Sequence, residues 1–172
     1  MYFKKTSKGE IIVCSCIMLW IFIVNIISVI MSLVSWPLFF VTILFFLLGM
    51  DKKNIAQIFC GGALGLILAL GLAVGLNALA PAIGILPAFA ILIFLALAII
   101  IIGGAVAPVC CNNIAFAYLT AATISIEKIS PGSILNNLLV LIIGGAIILA
   151  GSILAYQLGI KLVTPKTEAE IK

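Results

Sequence analysis

The sequence predicts an all-α fold, a polytopic transmembrane helical bundle of about six segments, two of them short or interrupted. Three observations carry this reading. Of the 172 residues, 66% are hydrophobic and 8% charged, with a mean hydropathy of +1.48; an ordinary soluble domain is about half apolar and about a quarter charged. Every charge lies near a terminus or between apolar runs, in the sets Lys4–Glu10, Asp51–Lys53, Glu127–Lys128 and Lys161–Lys172. Several of those runs reach the length of about 20 residues that a helix needs to cross a hydrocarbon core.

Taken in order, residues 11–34 form the first apolar run. Lysines precede it as in a signal peptide, but the run is too long for a signal core and a second apolar run follows at once, so a retained signal anchor is expected. Residues 36–50 are apolar but would reach only about 22 Å as a helix, short of the core; Trp36 suits an interface and Pro37 a first helical turn. Residues 55–79 are a glycine-rich span, Ala80-Pro81-Ala82 an uncharged turn, and residues 83–104 another span. Residues 105–126 are the second unusual segment, with Pro108 ahead of Cys110-Cys111-Asn112-Asn113. A polar loop at Glu127–Gly132 leads to the last span, residues 133–160, and a polar tail. This gives a cytoplasmic N-terminal segment (1–10), a transmembrane domain (11–160) and a cytoplasmic tail (161–172).

If all six segments cross from a cytoplasmic N-terminus, eight of the nine lysines lie inside and only Lys128 outside. That asymmetry obeys the positive-inside rule and places both termini in the cytoplasm. The net charge of +4 follows from topology, and nucleic acid is not an expected partner. The segments divide as three plus three, each half running long span, short proline-started segment, polar break, glycine-containing span. Such a division fits an inverted repeat, a plan common in transporters, although any six-span chain divides in two.

The residues that stand out as candidate substrate-binding groups are few. Asn112 and Asn113 are adjacent amides at the start of a membrane segment, and Asn113, Ala117, Thr120 and Ile124 share one helical face. That face suits the lining of a polar path; the other reading is that the amides cap backbone near Pro108 or bond a neighbouring helix. Asn25, Ser28, Ser32 and Ser35 form a second stripe, suited to a pore or to close helix packing. Asn136 and Asn137 are expected at the outer interface. Gly61 with Gly65, Gly71 with Gly75, and Gly151 with Ala155 and Gly159 mark faces of close approach, within the chain or between subunits of a homo-oligomer.

No histidine or arginine occurs, and no acid or lysine lies deep in a span. Ion coupling through a buried carboxylate is therefore disfavoured. A zinc site is disfavoured for want of His and of any CxxC pair. Catalysis is disfavoured because no Ser or Cys has a visible base, and the weak enzyme case rests on Cys110 or Cys111 as nucleophile. No cofactor is expected.

The order of Ser35-Trp36 with Phe39 and Phe46, Ala80-Pro81 before Ile85-Leu86, Pro108 before the stretch Asn112–Ala122, and a Gly-rich final span with a basic tail resembles the YcdZ-type family of small bacterial inner-membrane proteins, a family of unknown function. The resemblance covers most of residues 11–160 and implies a multi-pass location in the bacterial cytoplasmic membrane. It names no substrate. The chain departs from the family at Cys110–Asn113, where the family is Gly-rich. The function expected from the residues is a passive channel or facilitator for a small uncharged solute. The alternative is a non-transport membrane subunit that binds another membrane protein through its small-residue faces.

Overall fold

The computed structural model describes residues 8–124 and 130–163. Glu127, Lys128, the first seven residues and the tail from residue 164, all used in the sequence reading, lie outside them. Among the described residues the structure is helical, without strands. The elements are α1 (Lys8–Ile30), α2 (Trp36–Leu47), a 3-10 turn (Lys52–Asn54), α3 (Ile55–Ile83), α4 (Ile85–Gly103), α5 (Asn113–Thr123), α6 (Pro131–Leu139), a π turn (Val140–Gly144) and α7 (Gly145–Val163). Four helical stretches are long and apolar enough to cross a membrane: Lys8–Ile30, Lys52–Ile83, Ile85–Gly103 and Pro131–Val163. Helices α2 and α5 reach only about 18 Å and 16 Å, so neither spans a core of about 30 Å by itself.

Several expected boundaries are corrected. The turn between the third and fourth segments is not at Ala80-Pro81-Ala82, because α3 continues through Pro81 to Ile83. Proline withdraws one donor yet fits the helical φ itself. The stop is Gly84, whose φ of 88° is a glycine conformation and whose N–H bonds the Ala80 carbonyl at 2.9 Å. The first span ends at Ile30, so Ser32, with φ 53°, sits in a left-handed turn and Ser35 lies beyond the helix. The segment expected over 105–126 is helical only from Asn113, after an irregular turn. Pro37 does occupy the first turn of α2, whereas Pro108 precedes α5 by five residues and starts no helix.

The described residues form two compact units, one within residues 36–145 and one of residues 8–35 with 146–163. In the first, α3 packs on α5 along its first half and on α4 along its second. A methyl group built on Gly65 would run into the Ala115 carbonyl and the Tyr118 Cβ, so the α3 and α5 backbones touch. Further along, Leu72 and Leu76 bury Ala88 of α4, and Leu92 covers Gly75. Helix α2 lies against the π turn, with Leu38 on Gly144 and Val41 on Gly145. Trp36, half-buried, packs with Phe40 and Tyr118, ring centroids 5.4–5.6 Å apart. The buried Tyr118 hydroxyl donates to the Pro37 carbonyl at 3.0 Å.

In the second unit α1 and α7 run antiparallel: Gly9 meets Val163, Gly159 meets Val13, and the Trp20 ring lies on Gly151. The Trp20 indole donates to the Ile148 carbonyl at 3.0 Å. All three small-residue patterns thus serve contacts within the chain, except at Gly71, which has open space before it.

Candidate functional site

The start of α5 is the most constructed polar feature of the chain. Residues 104–112 make an irregular turn in which the Cys110 and Cys111 amides both donate to the Ala107 carbonyl, at 3.1 and 2.8 Å. Asn112 closes it. Its Oδ1 accepts from the Ile114 and Ala115 amides at 2.8 and 3.2 Å, and its Nδ2 donates to the Val109 and Pro108 carbonyls at 2.8 and 3.2 Å. One amide therefore supplies two orphan donors of a helix start and two carbonyls of the turn before it.

The turn carries no charge, and its apolar side chains point outward: Val106 is 86% exposed and Val109 50%. It lies against α3 at Gly61, where an added methyl would meet Asn112 Oδ1 at 2.7 Å. Gly61 is eight residues beyond Lys53, about 12 Å along the helix. The turn and the first residues of α5 therefore sit well below the level of the Lys52–Lys53 pair. Asn112 thus satisfies part of the irregular backbone of this turn.

The other predicted residues are placed differently. Asn113 and Thr120 lie on the exposed face of α5, with Ala117 half-buried and Ile124 exposed; the opposite face, with Ile114, Ala115, Tyr118 and Leu119, is buried. The stripe expected on α5 thus exists and faces away from its own chain. On α1, Asn25 Nδ2 donates to the Ile21 carbonyl at 3.1 Å and the buried Ser28 hydroxyl to the Val24 carbonyl at 2.8 Å. Both polar groups are absorbed by their own helix. Because Ser32 is in the turn, the expected four-residue stripe reduces to Asn25 and Ser28.

Asn137 corrects the sequence reading most sharply. It is not at a wet interface but 4% exposed, on the stripe Ile134, Asn137, Val140, Leu141, and its Oδ1 has no hydrogen-bond partner. It lies three residues before the π turn, which begins at Val140, a form that recurs at functional positions. In sequence Asn137 looks like Asn136 beside it; only the helical phase relative to Ile134 and Leu141 marks it as inward. A groove of about 580 Å³ opens in the unit formed by α1 and α7, lined chiefly by apolar residues, including Leu19, Trp20, Leu154 and Leu158, with Gln157 and Lys161 as its polar members. Among the described residues, no three His, Cys, Asp or Glu side chains converge as a metal site.

Comparisons with protein-family models, with curated proteins and with solved structures find no match to this chain.

Proposed function

We propose that the chain is a multi-pass protein of the bacterial cytoplasmic membrane, both termini inside, that lets a small uncharged solute cross passively as a homo-oligomer. The observation that carries the reading is the pair of short helices, each seated on the long helical stretch of the other half. Leu38 of α2 is seated on Gly144, thirteen residues beyond Pro131, and Ala115 of α5 on Gly65, thirteen residues beyond Lys52. Each is the third residue of its short helix, and each packs on the long helix of the other half. The residues before those long stretches, Asp51 and Ser130, are both side-chain N-caps. This crossed pairing supports an inverted three-plus-three repeat better than the proline spacing does. Interrupted helices meeting inside the bilayer are the plan on which many transporters build their sites.

The outward face of α5 supports the oligomer. Asn113 and Thr120 sit on an exposed face of α5, which the proposed topology puts at membrane depth, and polar groups there call for water or another protein. A path bordered by this face lies between copies. The absence of acids and lysines deep in the spans favours a solute without charge. Flux of glycerol and urea into proteoliposomes tests this. The double variant N113L/T120L is expected to lose the flux while keeping its helical content and oligomeric state; flux equal to that of the unaltered protein would remove these residues from the path.

A second reading, a non-transport subunit docked to another membrane protein, is favoured by one observation. The Asn112, Asn25 and Ser28 side chains are satisfied by local backbone. Glycerol and urea flux no greater than in protein-free liposomes, with a stoichiometric partner co-purifying, would favour that reading.

A further inference from the structure

The groove of the unit formed by α1 and α7 changes character along its length. At one end the Trp20 ring lies on Gly151, between the apolar side chains of Ile23 and Leu154. Ten residues further along α7, about 15 Å, stands Lys161, exposed and in the last turn of the helix. Gln157 lies one turn before it. Among the described residues that line the groove, Lys161 alone is charged. This is the end at which both spans stop, since Gly9 of α1 meets Val163 of α7. The groove thus has a cation at the membrane surface and an apolar far end about 15 Å away, half the thickness of a core of about 30 Å. A partner helix would run through both leaflets, whereas this groove is the length of one.

We infer that the groove binds one anionic phospholipid, from the leaflet that is cytoplasmic in the proposed topology. One acyl chain lies along Leu158 and Leu154 and ends at the Trp20 ring, and the phosphate pairs with Lys161. The lysine stem follows apolar surface while its ammonium, with three donors, reaches the headgroup. The Gln157 amide adds a further donor beside it. The acyl chain by itself gives no preference, because the surrounding lipid is as apolar as the groove. Selectivity therefore rests on charge. A zwitterionic phospholipid brings the same chain and phosphate, but its own cation offsets the attraction to Lys161. One lysine near an anionic surface corresponds to about fivefold in affinity. The site does not depend on solute flux, since none of its residues belongs to the α5 face.

Tryptophan fluorescence tests the assignment, because the chain has two tryptophans and one of them lines the groove. The full-length W36F variant, which keeps Trp20, is reconstituted in vesicles of phosphatidylcholine and phosphatidylglycerol. One lipid or the other carries bromine atoms, which quench indole, toward the middle of its chains. Brominated phosphatidylglycerol should quench Trp20 with about fivefold higher relative affinity than brominated phosphatidylcholine. K161Q should bring the ratio close to one while leaving quenching by phosphatidylcholine unchanged, and K161R should keep the preference. K8Q, which removes a charge at the same end but outside the groove, should keep it too. In W20F, the remaining Trp36 should show no preference. Equal quenching of Trp20 by both lipids, a preference that survives K161Q, or the same preference at Trp36 would each overturn the site. Quenching by neither lipid would mean that protein, such as a second copy, fills the groove, and would overturn it as well.

Discussion

Asn112 makes four hydrogen bonds from one side chain, and its replacement can be priced from them. N112A leaves two helix-start donors and two turn carbonyls without their partner. The expected loss is about 1–2 kcal/mol, read as a lower midpoint in denaturant titration of the detergent-solubilised protein. N112S, which keeps the acceptor, is expected to recover part of it. Asn137 makes the opposite prediction. A buried carbonyl oxygen without a partner costs about 1–3 kcal/mol, so N137L is expected to raise the midpoint. If N137L is more stable and also passes glycerol more slowly, the amide contacts the solute; if flux is unchanged, Asn137 is only a cost that the fold carries. Tyr118→Phe keeps the packing with Trp36 and Phe40 but drops the bond to the Pro37 carbonyl, and a loss of about 1 kcal/mol is expected.

Among the elements, the short helices depend on glycines in their long partners. G65A and G144A place a methyl group against the Ala115 carbonyl and the Leu38 side chain respectively, and about 1–3 kcal/mol is the expected cost of such overpacking. G71A meets open space and is expected to be neutral or to stabilise, since alanine favours a helix by up to about 1 kcal/mol over glycine. Equal effects at all three positions would mean that the α2 and α5 contacts contribute little. At this scale sequence and structure part company. The long apolar runs and the lysines between them were legible because hydrophobicity and charge are local properties. Pro81 was misread as a turn because a proline signals a break wherever it stands, while the true stop, Gly84, depends on a backbone angle. Asn113 and Thr120 could be put on one face from spacing alone. The inward position of Asn137 could not, since it depends on how separate helices dock.

At the scale of the whole molecule, the lysines and the short helices bear on each other. The proposed topology, with eight lysines on one side and one on the other, requires that α2 and α5 each count as a crossing, although neither is long enough to cross alone. The proposed answer is that irregular backbone completes each crossing, the turn 104–112 serving α5. That arrangement also brings Asn113 to membrane depth on an outward face, where a wet path and a dry packing surface differ in one measurable respect. The decisive measurement is the reactivity of a single cysteine in place of Asn113, in a cysteine-free background, toward a small membrane-impermeant thiol reagent applied from each side of the membrane. A facilitator with its path along α5 predicts labelling of N113C, slowed when glycerol or urea is present in excess. Labelling from neither side, with K128C still reactive from outside, would mean that the α5 face is sealed against protein or lipid, and would contradict the facilitator.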